Sequence, residues 1–139
     1  MVKTKFDTIV KLKKSQLDKI DREISKIDSQ LHIAKTQLNS LIDERDKLEY
    51  PKSGNFFMIS QFKMILNAKL LEIETKKEEI EFLKNQKKIL LSNLKEANIE
   101  YEKMKYLQAE EIKMIIKNKK QQEIKELDEI ALMLYKGEK

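Results

Sequence analysis

The side chains best suited to both acid–base and metal chemistry in this chain are 24 carboxylates and a single histidine, His32. Catalysis by such groups needs a desolvated pocket, a Ser/His/Asp-type set or a cluster with metal-ligand spacing. The chain holds no cysteine, and it contains no glycine-rich phosphate loop and no such set. His32 directly follows Leu31, which lies on the apolar stripe described below, so we place it on the outer surface. We therefore predict that the protein is not an enzyme and uses no metal and no cofactor.

The charged residues instead predict ion pairing on solvated helix faces. The 29 basic and 24 acidic side chains are interspersed and leave a net charge of +5, a mixture that disfavours nucleic-acid binding. Asp7 and Lys11, like Asp43 and Lys47, lie one helical turn apart with the acid first, a stabilising arrangement. The longest apolar run, residues 56–59, is far too short to span a membrane, and no signal-peptide core follows the basic N-terminus. We expect a cytoplasmic protein without direct membrane insertion.

One break organises the elements that carry these side chains. Residues 50–55 (YPKSGN) contain the only proline and one of the two glycines. Proline cannot continue an arriving helix, whereas Gly54 can turn and Ser53 or Asn55 can cap a new helix. We predict an all-α fold: one domain, residues 1–139, in which two long helices form an antiparallel coiled-coil hairpin. Helix 1 covers about residues 4–49, the hinge residues 50–55, and helix 2 about residues 56–136.

Both arms show an apolar stripe with alternating three- and four-residue spacing, which is typical of a coiled coil. The first-arm stripe is Phe6, Val10, Lys13, Leu17, Ile20, Ile24, Ile27, Leu31, Ala34, Leu38, Leu41, Arg45 and Leu48. The second-arm stripe is Ile59, Phe62, Leu66, Lys69, Ile73, Lys76, Ile80, Leu83, Lys87, Leu90, Leu94, Ala97, Tyr101 and Met104. Its three lysines can lie along the seam and fix the register.

The two stripes are nearly equal in length, which predicts an overhang. If Leu48 lies near Ile59, then Phe6 lies near Tyr101, and residues from about 105 to 136 project past the N-terminus. A helix of that length extends about 50 Å.

The overhang ends in an amphipathic stretch with no partner in a monomer. Exposed apolar stripes usually mark interaction surfaces, and self-association and a frayed tail are the alternatives. The stripe residues are Ile124, Leu127, Ala131 and Leu134, with Ile130 beside them. A basic cluster precedes them, namely Lys113, Lys117, Lys119 and Lys120. At the hinge end, Phe56, Phe57 and Phe62 either pack the turn or face a partner.

Three stretches resemble those of a known family. They are residues 5–13 (KFDTIVKLK), residues 37–43 (QLNSLID) with residues 59–66 (ISQFKMIL), and residues 125–131 (KELDEIA). The chain thereby resembles the FliJ family of bacterial flagellar type III export proteins. The resemblance implies a non-catalytic stalk and chaperone component, similar to the stalk of rotary ATPases. Its termini would enter a hexameric export ATPase (FliI-like), with the export gate membrane protein (FlhA-like) and export chaperones as further partners.

The resemblance also implies a gate-binding patch near the hinge. Four residues match it by type: Gln37, Leu41, Phe62 and Leu66. Four more occupy its places but depart from it: Glu44, Leu48, Lys69 and Ile73. Leu41, Phe62 and Leu66 are also stripe positions, so core packing is the competing interpretation. The basic cluster and the stripe of the overhang would face the ATPase ring, with the protein peripheral at the membrane-embedded export apparatus.

Two other functions compete with this stalk. One is the equivalent stalk of a virulence-type secretion system. The other is a generic coiled-coil scaffold or homodimeric tether, in which residues 105–139 pair with a second copy. The stalk hypothesis predicts a protein that is monomeric alone.

Overall fold

The computed structural model describes residues 2–52 and 54–137. They form two helices packed against each other, α1 (Asp7–Asp46, 40 residues) and α2 (Phe56–Gly137, 82 residues), with no strand in the described part. The all-α, two-helix prediction is confirmed. The described ends of α1 lie a few residues inside the predicted range of 4–49, and α2 begins at the predicted residue.

Thr4 and Asp7 start α1 by a reciprocal cap. The Thr4 hydroxyl accepts from the Phe6 amide at 3.1 Å, while the Asp7 carboxylate accepts from the Thr4 amide at 3.1 Å and from the Thr4 hydroxyl at 2.7 Å. This pattern satisfies amides that have no partner inside a helix. At the other end, Leu48 donates to the carbonyl of Arg45 at 3.1 Å, which tightens the last turn before Pro51.

Asn55 starts α2, as one of the two predicted caps. Its side-chain oxygen accepts from the Met58 amide at 3.0 Å, the geometry of a helix N-cap. The other predicted cap, Ser53, lies outside the described residues. Gly54 does not adopt a positive φ. A Cβ there would lie 2.9 Å from the Met58 sulfur and 3.3 Å from the Met58 Cβ, so a larger residue at this position would require the Met58 side chain to shift.

The chain divides into two compact units, and each helix contributes to both. The hinge unit is Lys19–Leu94, and the terminal unit is Met1–Asp18 with Lys95–Lys139. The prediction of a single domain is not settled by this division and stays a prediction.

The core of the hinge unit is a narrow seam between α1 and α2. Its buried members are Leu31, Ala34, Ile80 and Leu83, with Ile27 and Leu38 packed against them. Every residue of both predicted stripes in this unit is buried or half-buried, including Lys69, Lys76 and Lys87. The 3-4 spacing therefore identified the contact faces of both helices.

Those three lysines define the register. Lys69 lies 2.6 Å from Glu44, Lys76 donates to Gln37 at 2.8 Å, and Lys87 lies 2.7 Å from Asp28. The α1 partners run back from Glu44 to Asp28 while the α2 partners run forward from Lys69 to Lys87, which is the order of an antiparallel pair of helices. The predicted pairing of Leu48 with Ile59 would instead set Lys69 opposite Leu38 and Lys76 opposite Leu31.

In the terminal unit, too, the observed pairs are shifted by about seven residues from the predicted pairing. Gln108 donates to Asp7 at 2.9 Å, and the ammonium of Lys14 lies 5.6 Å from the ring centre of Tyr101. The expectation that Phe6 lies near Tyr101 is therefore wrong by about one heptad. The physical reason is at the hinge, where Tyr50 packs edge-on against Phe62 with ring centres 5.2 Å apart. Residues before the turn thus overlap the first turns of α2.

Candidate partner-binding surfaces

The last part of α2 is fully open to solvent. Every residue from 116 to 137 is exposed, whereas Gln108, Ile112 and Ile115 are still half-buried. Contact with the N-terminal segment thus continues past the predicted boundary near residue 105, as the shifted register requires. We call residues 116–137 the exposed C-terminal segment.

The apolar residues predicted to face an ATPase ring lie on this segment. All five are exposed, namely Ile124, Leu127, Ile130, Ala131 and Leu134. The four larger side chains are 52–66% exposed. Because a 3.6-residue period keeps these positions within one broad face of the helix, they can meet a partner together.

The predicted basic residues immediately precede and begin this segment. Residues 113–120 contain four lysines and no acid. Lys113 lies 3.5 Å from Glu110, one turn earlier. Within the described chain, Lys117, Lys119 and Lys120 make no ion pair. The cluster therefore presents nearly uncompensated positive charge beside the apolar stripe.

Sequence reasoning missed a second apolar face at the same end. Leu132 and Met133 are 58% and 69% exposed and line a shallow groove with the side chains of Lys125, Asp128, Glu129 and Lys136. The available signal was the apolar run from 131 to 135, since five consecutive residues cover every side of a helix.

The residues predicted to contact an export gate fall into two pairs. Gln37 is exposed and Leu41 half-buried, and both line a shallow groove with Thr36, Ser40 and Lys76. Phe62 and Leu66 are half-buried on α2, where the Phe62 ring contacts Tyr50. In the observed register Leu41 lies opposite residues about ten positions beyond Phe62, or about 15 Å along the helix. The four residues do not form one compact cluster.

The four departing positions belong to the seam. Ile73 is buried, Leu48 is half-buried, and Lys69 pairs with Glu44. The hydrogen bond with Glu44 is the main cause that raises the pKa of Lys69. These residues therefore lie at or beside the contact between the two helices.

Asp7 is a carboxylate whose hydrogen bonds come from α2 and from the segment before α1. The hydrogen bond from Gln108, followed by those from Thr4, lowers the pKa of Asp7 from 3.8 to about 2. Hydrogen bonds to a charged carboxylate favour its ionised form. Asp7 thus links the cap of α1 to α2.

The described residues offer little for chemistry. His32 is exposed, as predicted. No group of three or more His, Cys, Asp or Glu side chains among them is arranged to hold a metal ion. None of the described helix stretches has the length and apolar character that crossing a bilayer requires.

Comparison with known proteins identifies a family. The family model described as "Flagellar FliJ protein" matches residues 2–139. No curated protein and no solved structure matches the chain.

Proposed function

Because the chain belongs to the FliJ family of flagellar export proteins, we propose that it is the non-catalytic stalk of the export ATPase. In this proposal the terminal unit enters the central opening of a hexameric ATPase. An asymmetric insert makes the subunit interfaces of the ring unequal, so that hydrolysis at successive interfaces couples to the delivery of export substrates. The protein would act at the cytoplasmic side of the export gate.

The observation that carries the proposal is the exposed C-terminal segment. Its large apolar side chains lie open to solvent over 22 residues, from 116 to 137. Contiguous exposed apolar surface of this kind usually marks a binding site. The adjoining lysines suit an acidic lining of the ring, where complementary charge aids encounter and orientation more than affinity.

The export gate and the export chaperones are the proposed partners of the hinge unit. The groove beside Gln37 and Leu41 is its accessible part, because Phe62 is already in contact with Tyr50. We therefore assign the stronger gate contribution to Gln37 and Leu41, and a supporting, packing contribution to Phe62 and Leu66.

The direct test is titration of the chain into the export ATPase of the same organism. Hydrolysis rate and the hexamer fraction in sedimentation are expected to rise together. A variant with Ile124→Ser, Leu127→Ser and Leu134→Ser should need at least about tenfold more protein for half the effect, because it loses apolar anchors at the centre of the interface.

The matched control is Ile99→Ser, which changes one exposed isoleucine outside the segment. It should stimulate like the unchanged chain. An ATPase that responds equally to the triple-serine variant and to the unchanged chain contradicts the proposal. Sedimentation of the chain alone tests the tether alternative, since a dimer dissociated by the triple substitution would assign the segment to a second copy.

A further inference from the structure

The outer side of α2 in the hinge unit carries a second apolar seam. Counting by four and three from Phe57 gives Phe57, Gln61, Met64, Ala68, Leu71, Thr75, Glu78, Phe82, Asn85 and Ile89. All ten residues are exposed, and the five large apolar ones are 60–72% exposed. We call these ten positions the outer seam.

The outer seam is separate from the contact with α1. In heptad terms its first three large members, Phe57, Met64 and Leu71, lie directly opposite the seam that α1 covers. A helix with apolar residues on both sides is typically sandwiched between two neighbours. Within the described residues, α1 supplies only one of them. The outer seam spans about 48 Å at 1.5 Å per residue, the length of a long helix.

The charges beside the outer seam specify what kind of helix fits. Its middle third is bordered by Glu72, Glu74, Glu79 and Glu81, and Glu78 lies in the seam itself. Lys69 reaches Glu72 at 3.6 Å and Lys76 reaches Glu79 at 2.8 Å. Glu74, Glu78 and Glu81 make no ion pair within the described chain. The border is therefore acidic and only half neutralised.

This charge pattern disfavours a second copy on the outer seam. If two outer seams paired along their full length, Glu72 and Glu74 of one copy would face the same glutamates of the other copy. This holds whether the two helices run parallel or antiparallel. Like charges in adjacent positions oppose association and act against the wrong partner. A helix with lysine or arginine on both borders of its apolar stripe meets the same surface with opposite charge.

We propose that the outer seam binds a basic amphipathic helix of another protein, which adds a third helix to the hinge unit. Phe57, Met64 and Leu71 anchor one end, Phe82 and Ile89 the other, and Glu74, Glu78 and Glu81 select basic borders between them. This inference rests on the hinge unit alone and is independent of ring insertion by the terminal unit.

The test uses the full chain and two labelled synthetic helices of equal length. Both carry leucine at positions spaced by three and four. One has lysine on both borders of the leucine stripe and the other has glutamate. Fluorescence anisotropy should show binding of the lysine-bordered peptide and at least about tenfold weaker binding of the glutamate-bordered one. The combined variant Glu74→Lys, Glu81→Lys should reverse this preference.

Apolar variants test whether peptide binding depends on the outer seam or is nonspecific hydrophobic binding. Met64→Ser with Phe82→Ser should weaken binding of the lysine-bordered peptide about tenfold, because one apolar anchor is lost at each end of the outer seam. Ile33→Ser alters an equally exposed isoleucine on α1 and should leave binding unchanged, while circular dichroism verifies folding of each variant. Equal binding of both peptides, or a preference unaffected by the charge reversal, overturns the proposal. So does a dimer of the chain that Phe82→Ser dissociates.

Discussion

At the scale of single residues, Asp7 has two structural roles. It completes the cap with Thr4 and accepts from Gln108, a residue 101 positions away in sequence. The position also begins α1, where a negative charge interacts favourably with the helix dipole. One carboxylate thus stabilises a helix end and a contact between helices, but only while it is ionised.

The low pKa of Asp7 predicts acid sensitivity of the terminal unit. A group with a lowered folded-state pKa contributes stability that is present above its unfolded pKa of about 4 and is lost as the pH falls towards the folded value. The pKa of about 2 therefore places this loss between about pH 4 and pH 2. Gln108→Ala should move the pKa of Asp7 upward, measured by carboxyl NMR titration. Gln122→Ala, on the exposed C-terminal segment, should leave it unchanged.

Burial predicts which isoleucines hold the hinge unit together. Ile80 is 7% exposed in the core, whereas Ile89 is 60% exposed two turns on. Ile80→Ala should lower the free energy of unfolding by about 2–4 kcal/mol, because it removes buried methyl groups and leaves a cavity. Ile89→Ala should change it by no more than about 0.5 kcal/mol. Urea unfolding followed by circular dichroism compares the two, and equal effects would contradict the assigned contact face.

At the scale of the helices, apolar spacing and polar partners have different roles. The 3-4 pattern selects the face that each helix buries, but it repeats every seven residues, so registers one heptad apart look alike. The pairs Glu44–Lys69, Gln37–Lys76 and Asp28–Lys87 remove this ambiguity. Exposed ion pairs add little stability. Their role here is to penalise the register that leaves the lysines opposite apolar residues.

Cysteine pairs test the register directly, since the chain has no cysteine of its own. Ala34 and Ile80 belong to the same core cluster. Ala34→Cys with Ile80→Cys should therefore form a disulfide readily under mild oxidation. Ala34→Cys with Ile73→Cys, which the shorter register favours, should form it poorly, because a disulfide requires Cα atoms within about 7 Å. Electrophoresis under non-reducing conditions measures the disulfide yield of both variants. Preferential crosslinking of the second pair would contradict the observed register.

At the scale of the whole molecule, the buried apolar side chains and the proposed partner-binding surface belong to different parts of the chain. Residues 19–94 supply five of the six buried apolar side chains, and Leu17 is the sixth. The exposed C-terminal segment contributes none. A protein arranged in this way can lose that segment without unfolding elsewhere.

Truncation tests this separation. A stop codon at Ile116 removes only exposed residues and the undescribed end, so the free energy of unfolding should change by less than about 1 kcal/mol. A stop codon at Leu107 also removes Gln108 and Ile112, which line a groove with Asp7 and Val10, and should destabilise the chain more. Urea unfolding measures both. Equal stability of the two truncated chains would show that the 108–115 contacts contribute nothing.

Some features of the candidate sites can be predicted from the sequence, and others cannot. The exposure of the apolar stripe in the C-terminal segment could be predicted, because a stripe that continues beyond its partner helix is visible in the spacing. Leu132 and Met133 lie off that stripe, so the three- and four-residue spacing does not single them out. The residues that the resemblance associates with gate binding do not form one patch, because Leu41 and Phe62 lie at different levels of the observed pairing.

The sequence by itself determined that there are two helices, where the chain breaks between them and which face of each is buried. These are local properties: proline and asparagine act on neighbouring amides, and helical periodicity follows from the spacing of side chains. Only the tertiary structure decided the register, the extent of the contact to about residue 115 and the exposure of the outer seam. The register and the extent of the contact depend on how the loop residues pack across the turn and on which distant charges meet. A seven-residue repeat cannot select between registers that differ by seven residues.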